Sequence, residues 1–468
     1  MKLRKVKWQN HPVLGNLEID FLRSDGTPYD NIILVGENGA GKTSVLTTIS
    51  TFLNIGDFDC FEYFEFETDG ITYRALHREE GQGNSTFFRL QDCSTGAISR
   101  INRDRHNSIQ NIFNNTQDPR SYGCVLSKAR ADYQTDKITQ TTTKSLDAEA
   151  HSIDSEDKFT SLKQLFVDVK SQDDHLFRAL NKNRSQSEMI TEKEFEQRQS
   201  KLYRFVKAFD EFFSDAHLYF HDVEDNNDHK EILFKKFDKD VPIDNLSTGE
   251  KQIVFRGIYL LRNLAKLNGG TIFVDEPEIS MHPLWQKKIL AYYQGLFTNV
   301  QHQQVAQMFF ASHSNYVLES ALAKHDENLV IVLLNQGGTI QARKVESTER
   351  ALPHISSAEV NYLVFNLPSR DYHNELYGYL QIKEGVANTG TPYNVKECDD
   401  FIKRNAQYDA TRHYKRYNYT DRNGHAHYYE TLPSYIRNCI DHPNPPTHPE
   451  PNDDEVKISI DLLRALCR

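Results

Sequence analysis

The sequence predicts an α/β protein with a helical insertion and a mixed, largely helical C-terminal domain. Three observations predict it. The stretch Gly36-Glu37-Asn38-Gly39-Ala40-Gly41-Lys42-Thr43-Ser44 lies between an apolar run, Ile32 to Val35, and a segment of helical spacing, Val45 to Ser50. Two later apolar runs, Thr271 to Val274 and Gln307 to Ala311, end in Asp275-Glu276 and in Ser312-His313-Ser314. Between the Gly36–Ser44 stretch and these runs, from about 145 to 215, apolar residues recur every three or four positions.

The first stretch satisfies GxxxxGK[ST] in the strand–loop–helix context that a phosphate-binding loop requires. Gly36, Gly39 and Gly41, with Asn38 and Ala40 among them, let the backbone curl so that successive N–H groups point at one anion. The positive end of the following helix adds to that field, with Ser44 in its first turn. Lys42 is placed to reach β- and γ-phosphates, and the Thr43 hydroxyl to sit on Mg²⁺.

With 468 residues the chain is long enough for two to three domains, and 26% charged with 38% hydrophobic residues is an ordinary composition. No apolar run is long enough to span a bilayer, and the basic start Met1 to Val6 leads into a strand pattern rather than a signal-peptide core. Six scattered cysteines without a CxxC pair point to free thiols and a cytoplasmic protein. A net charge of −11 argues against a generally DNA-coating surface while leaving room for a local basic groove.

Taken in order, residues 2–8, 14–21 and 29–35 read as strands, and a helix of about ten residues follows the phosphate loop. Tyr63–Glu67, Ile71–Arg74 and Thr86–Leu90 read as an antiparallel sheet, with Asp69-Gly70 as a hairpin turn. The Arg- and Asn-rich residues 95–120 read as loop, and Cys124–Ser127 as a short strand before Lys128–Gln134. The insertion follows as a helical subdomain, or a helical pair, too short for a long coiled-coil arm. Leu218 to Lys239 returns to strand pattern. The expected division is 1–140, 141–215, 216–345 and 346–468.

Chemistry concentrates in four further segments. Leu246-Ser247-Thr248-Gly249-Glu250 opens a helix expected over Ile253 to Leu267. A Ser/Gly turn there is a second anion site, or an ordinary helix cap in which Ser247 caps and Glu250 completes a capping box. Asp275, after an apolar run, suits a place near Mg²⁺. Glu276, not needed for metal, can orient or deprotonate an attacking water. Ser280-Met281-His282-Pro283 follows at once. His313, at the end of the next run, can donate to a γ-phosphate.

The order GENGAGKTS, LSTGEKQ, IFVDEPE, SMHP and ASHS resembles the ATP-binding-cassette fold of the SMC, RecF and OLD-like branch, over about residues 1–345. The tetrad Asp275-Glu276-Pro277-Glu278 with the His-Pro pair is similar to the bacterial anti-phage ATPases of that branch, most of all the PtuA type of Septu-like or retron-linked modules. The resemblance implies an ATP- and Mg²⁺-dependent ATPase in which ATP is sandwiched between two protomers. Ser247 and Gly249 then close on the γ-phosphate held by the partner's loop, Asp275 serves the metal, Glu276 positions water and His313 is the switch. It further implies a homo-oligomer, an HNH-type nuclease partner and action on nucleic acid. A membrane transporter subunit is only a minor alternative. Gln134 stands near the place of the family's nucleotide-sensing glutamine, although Lys128–Gln134 matches that context loosely.

Residues 355–468 are rich in Tyr, His and Asn. Arg416 to Tyr429 reads as a hairpin with Asn423-Gly424 at its turn, followed by a short helix over 432–443, a Pro-rich loop and a terminal helix. Arg437-Asn438-x-x-x-His442 resembles the HEPN ribonuclease signature, in which Arg and His act on a scissile phosphate. The same spacing recurs at Arg422 and His427 inside the hairpin, so the pattern is cheap, and partner docking or packing is the competing reading of this helix. A RecF-like repair ATPase is a third reading of the chain. A zinc site from His413, His425, His427, His442 and His448 lacks Cys or carboxylate spacing to support it.

Overall fold

The computed structural model describes residues 1–79, 86–102, 112, 114–130, 133–142, 151–153, 159–182, 184–185, 188–226, 228–261, 269–299, 303–420, 424–443 and 447–468. It divides into two compact units, Met1–Lys344 and Val345–Arg468.

The first unit is an α/β P-loop cassette. Its central sheet has seven strands in the order Thr339–Lys344, Asn328–Gln336, Asn31–Gly36, Gln307–Ala311, Thr271–Asp275, Cys124–Ser127 and His151–Ile153. All neighbours pair in parallel except the antiparallel edge strand Thr339–Lys344. The strand leading into the phosphate loop is buried along its whole length, as are those ending in Asp275 and Ala311. This explains why they read as unbroken apolar runs rather than alternating ones.

Beside this sheet lies an antiparallel one, ordered Glu18–Asp20, Lys2–Trp8, Phe61–Thr68, Ile71–Leu76, Thr86–Asp92 and Ile98–Asn102. Helix Lys42–Leu53 shares one apolar core with both: Val45, Leu46 and Ile49 are fully buried with Ile32 and Leu34, while Phe52 packs edge-on against Phe58, Phe64 and Phe88. Each such ring is worth about 1.5–3 kcal/mol by burial alone. The Gln307 side chain stitches the sheets together, accepting from Leu3 N at 2.6 Å and donating to Leu3 O and Tyr29 O at 3.1 and 2.8 Å.

Two expectations are corrected. Residues 95–120 are not all loop: Ile98–Asn102 is a strand pairing with Thr86–Asp92, and Pro119–Ser121 forms a short 3₁₀ turn capped by Asp118. A backbone ladder to a neighbouring strand outweighs the local Arg/Asn composition there. The strand expected over 14–21 is limited to Glu18–Asp20, because His11 and Gly15 pair in a tight turn of their own.

In the insertion, helices Thr160–Asn181, Glu192–Arg198 and Tyr203–Phe213 pack through phenylalanine rings, Phe166 on Phe205 and Phe177 on Phe195, while Phe209 packs on Phe234 of the strand His229–Lys236. The three strands Leu218–Asn226, His229–Lys236 and Lys239–Pro242 form a small antiparallel sheet. Helix Thr248–Leu261 starts five residues before the expected Ile253, and its expected extension to Leu267 lies outside the described residues.

The second unit contains helices Ser357–Phe365, Arg370–Thr389, Val395–Arg404, Ala410–His413, Leu432–Asp441 and Asp453–Cys467 with the hairpin Tyr414–Thr420/Ala426–Thr431. Asn423 of the expected turn lies outside the described residues. Tyr372, Leu376, Tyr377 and Leu380 pack with Ile436, Ile460 and Leu463 in its core. The Tyr372 hydroxyl accepts from Arg464 at 2.6 Å and donates to Glu359 Oε1 at 3.1 Å, which links the two buried side chains. No helix among the described residues is long and apolar enough to cross a membrane.

Candidate functional site

The phosphate loop leaves the central strand at Gly36 and enters helix Lys42–Leu53 through Gly41, which occupies the N-cap with φ 88°. Gly39 has φ 80°, and a Cβ there would meet nothing within 4 Å. Gly36 is different in kind, since a Cβ would stand 2.3 Å from the carbonyl oxygen of Leu333 on the neighbouring strand. The loop therefore combines open space above Gly39 with a close backbone approach at its root, and side chains are excluded from both for separate reasons.

The Lys42 side chain is buried under the loop and donates to the carbonyls of Gly36 and Glu37, each at 3.0 Å. Burial pushes its ammonium below the ordinary lysine range, against Asp275, Glu276 and Glu278, which favour the charged form. Thr43 Oγ1 donates to Asp275 Oδ2 at 3.0 Å. Burial raises the Asp275 carboxyl, the Thr43 hydroxyl opposes that shift, and Glu276 adds to it. Two motifs separated by 232 positions thus meet side chain to side chain.

Glu276 follows with φ 45°, a conformation uncommon outside glycine. Its amide donates to Ala311 O at 2.9 Å, and its carbonyl accepts from the Arg256 guanidinium at 3.1 Å. Arg256 also donates to the carbonyls of Asp275 and Lys128, at 2.9 and 2.6 Å. The left-handed turn is thereby held from both sides, and the Glu276 carboxylate is left 38% exposed, 4.0 Å from His313 Nε2. Burial and nearby Lys42 lower the His313 imidazole below its ordinary value while Glu276 opposes them, which favours the uncharged ring.

Glu278 lies one turn further on and is nearly sequestered, with 9% of its surface exposed. Its Oε1 accepts from Ser312 Oγ at 2.8 Å, His313 N at 2.8 Å and Ser314 N at 3.2 Å.

Ser247 and Glu250 close the capping box: Ser247 N donates to Glu250 Oε2 at 2.8 Å and Glu250 N to Ser247 Oγ at 3.4 Å. Gly249 faces the turn beyond Glu278, where a Cβ would approach Ser280 O to 2.8 Å and Trp285 to 3.4 Å. Ser247 is bonded within the start of its own helix, and Gly249 stands against the Ser280 backbone. His282 caps the short helix Pro283–Gln286 through Nδ1, which accepts from Leu284 N at 3.3 Å.

Residues 104–319, fewer than half of the chain's 468, match the family model described as "AAA domain, putative AbiEii toxin, Type IV TA system". The matched span holds Ser247, Gly249, Asp275, Glu276 and His313, and stops short of the phosphate loop. No curated protein matches the chain in sequence. Similar solved structures include the SMC head domain from Thermotoga maritima, at 15% identity, covering 74% of this chain and all of that one, with a TM-score of 0.35. An SmcHead bound to the C-winged helix domain of ScpA is similar at 12% identity over 75% of this chain and 99% of that one, with a TM-score of 0.41. An Smc head with an extended coiled coil, bound to the C-terminal domain of ScpA derived from Pyrococcus furiosus, is 13% identical over 74% and 97%, with a TM-score of 0.37. At these scores the resemblance carries no argument about activity.

The remaining candidates are dispersed. Gln134 is exposed, next to a Tyr133 buried against Phe159 and Phe255. In the second unit Arg437 pairs with Asp441 at 2.8 Å, and exposed His442 ends the helix, its amide donating to Asn438 O. No group of His, Cys, Asp and Glu suited to a metal ion occurs among the described residues, and the six cysteines are free thiols.

Arg256 and the individual role of Glu278 escape a reading of the sequence. A signal for Arg256 exists, since it is the one charge within the apolar run Ile253 to Leu261.

Proposed function

We propose that this chain binds and hydrolyses ATP with Mg²⁺, and that two copies enclose the nucleotide between the phosphate loop of one and the Ser247–Gly249 turn of the other. The observation that carries the reading is the meeting of Thr43 and Asp275 at 3.0 Å beside buried Lys42, with Glu276 and His313 converging 4.0 Å apart. A hydroxyl and a carboxylate at a strand end are hard oxygen donors, which suit Mg²⁺. When bound, that ion would neutralise phosphate charge and orient the β- and γ-oxygens. Lys42 would bind the phosphates, Asp275 and Thr43 would hold the metal, Glu276 would orient a water and accept its proton, and neutral His313 would donate to the γ-phosphate.

The description of the matched family, with its Type IV TA system, supports a place in a bacterial defence module. We read the ATPase as controlling a nuclease effector of the HNH type in such a module, with the second unit as docking surface. The ribonuclease alternative rests on Arg437 and His442, which lie outside the matched residues 104–319, and Arg437 pairs with Asp441.

Nucleotide binding and turnover of purified protein test the reading. Lys42→Ala abolishes ATP binding, while Glu276→Gln retains binding and loses turnover by about 10²–10³-fold. Glu276→Gln turning over at the wild-type rate overturns the assignment.

A further inference from the structure

A buried carboxylate oxygen without a partner is costly, about 1–3 kcal/mol and more when charged, and in a native protein it calls for a reason. Glu278 has one: Oε2 finds no hydrogen-bond partner among the described residues, while Oε1 alone gathers three donors. Burial raises the carboxyl, and the His313 amide and the Ser312 hydroxyl oppose that shift. An apolar side chain would fill the volume without this penalty.

What the arrangement achieves is geometric. The three donors are consecutive, Ser312, His313 and Ser314, and they connect the end of the Gln307–Ala311 strand to the helix Asn315–Ala323. With Ser314 N also donating to Ser312 Oγ at 3.1 Å, the turn is tied to one oxygen that belongs to the segment carrying Glu276. The two residues before Glu278 define the strained Glu276 turn, and the Glu276 amide is bonded to Ala311 O. Glu276 and His313 are therefore linked by a ring of contacts that runs Glu276, Ala311, Ser312–His313, Glu278 and back along the chain. The ring ties the two backbones together, and the imidazole stands 4.0 Å from the Glu276 carboxylate even though both side chains are more than a third exposed.

We infer that Glu278 is a positioning residue of the hydrolytic site: its Oε1 clamps the Ser312–Ser314 turn so that His313 is held in register with Glu276. The inference rests on the ATPase reading above, and adds that the second carboxylate of the Asp275–Glu278 tetrad acts through His313 rather than on water or metal. A misplacement of about 1 Å in such a group costs up to about 10²-fold in rate, whereas nucleotide affinity, set by Lys42 and the loop, is untouched.

The test uses the full chain with Glu278→Ala, Glu278→Gln and His313→Ala, alone and combined, read by ATP turnover and by amide hydrogen exchange. Glu278→Ala should lower kcat by about 10–100-fold with KM within about threefold. Exchange at the His313 and Ser314 amides should quicken by about tenfold as their acceptor is lost, with Phe309 and Phe310 still protected. Glu278→Gln keeps an acceptor oxygen in place and should stay within about threefold of wild type in kcat. The double variant Glu278→Ala/His313→Ala should be no slower than His313→Ala, because groups acting as one unit are not additive. Unchanged exchange in Glu278→Ala overturns the clamp whatever the turnover, and faster exchange with wild-type kcat overturns the positioning role. Additive losses, or a fall in ATP affinity with melting temperature, reduce Glu278 to packing. Absence of turnover in the wild-type chain would instead overturn the ATPase reading, and the exchange result would still decide the clamp.

Discussion

Replacing Arg256 by leucine removes a fully enclosed cation that no motif contains. Its guanidinium donates to the carbonyls of Lys128, Asp275 and Glu276 at 2.6, 2.9 and 3.1 Å. Charge-assisted hydrogen bonds contribute about 1.5–3 kcal/mol each, and leaving buried acceptors unmet costs a similar amount. Not all three add, since the carbonyls can relax and the cation's own desolvation is recovered, so a loss of about 3–5 kcal/mol is expected. The local consequence is larger than the global one, because the same carbonyls belong to the left-handed turn at Glu276, φ 45°. Without its tether that turn relaxes toward ordinary backbone and swings the Glu276 carboxylate away from His313. The expected result is a kcat reduced about 10²-fold at saturating ATP, with a clear drop in urea midpoint. Arg256→Lys, which cannot span three carbonyls, should recover part of the stability and little of the rate. Wild-type turnover and stability in Arg256→Leu would refute the tether.

Two further predictions follow the same logic. Gly36→Ala forces a Cβ to 2.3 Å from Leu333 O and should cost about 3 kcal/mol or more, whereas Gly39→Ala meets open space and should cost only about 1 kcal/mol of left-handed strain; equal melting shifts would contradict this. Asp210, which accepts from Phe220 N at 3.0 Å, is pushed by burial from 3.8 up to about 6. A raised carboxyl keeps its proton longer in the folded chain, so its contribution falls between about pH 4 and pH 6 and is lowest above that window. Asp210→Asn should match wild type at pH 4 and exceed it at pH 7 by about 1–2 kcal/mol, discounted from the full shift because the carboxyl is partly open to solvent. A constant difference across that range would show that Asp210 ionises normally.

The α/β cassette is legible in the sequence because its central strands are buried on both faces and each carries its chemistry at the end. Lys42, Thr43, Asp275, Glu276 and His313 stand out for that reason, and the fold brings them together. Ile98–Asn102 is not legible, since a five-residue strand in an Arg- and Asn-rich window owes its existence to the ladder with Thr86–Asp92. Arg256 hides because its partners are backbone carbonyls, which carry no residue identity. Glu278 is visible only as a letter in a tetrad, its hydrogen bonds being made across 34 to 36 positions of chain. The Ser247–Glu250 box satisfies the capping reading on its own terms, and a role toward a partner's nucleotide leaves no mark within one chain.

That role is tested most directly by complementation. Lys42→Ala and Ser247→Arg are each expected to be inactive alone. If two copies pair as proposed, an equal mixture contains heterodimers in which one composite site has an intact loop and an intact Ser247 turn, and random pairing predicts about a quarter of the wild-type ATPase rate. Recovery to that level is the result the account predicts. A mixture no more active than its two components would contradict it, and would place the complete site within one chain.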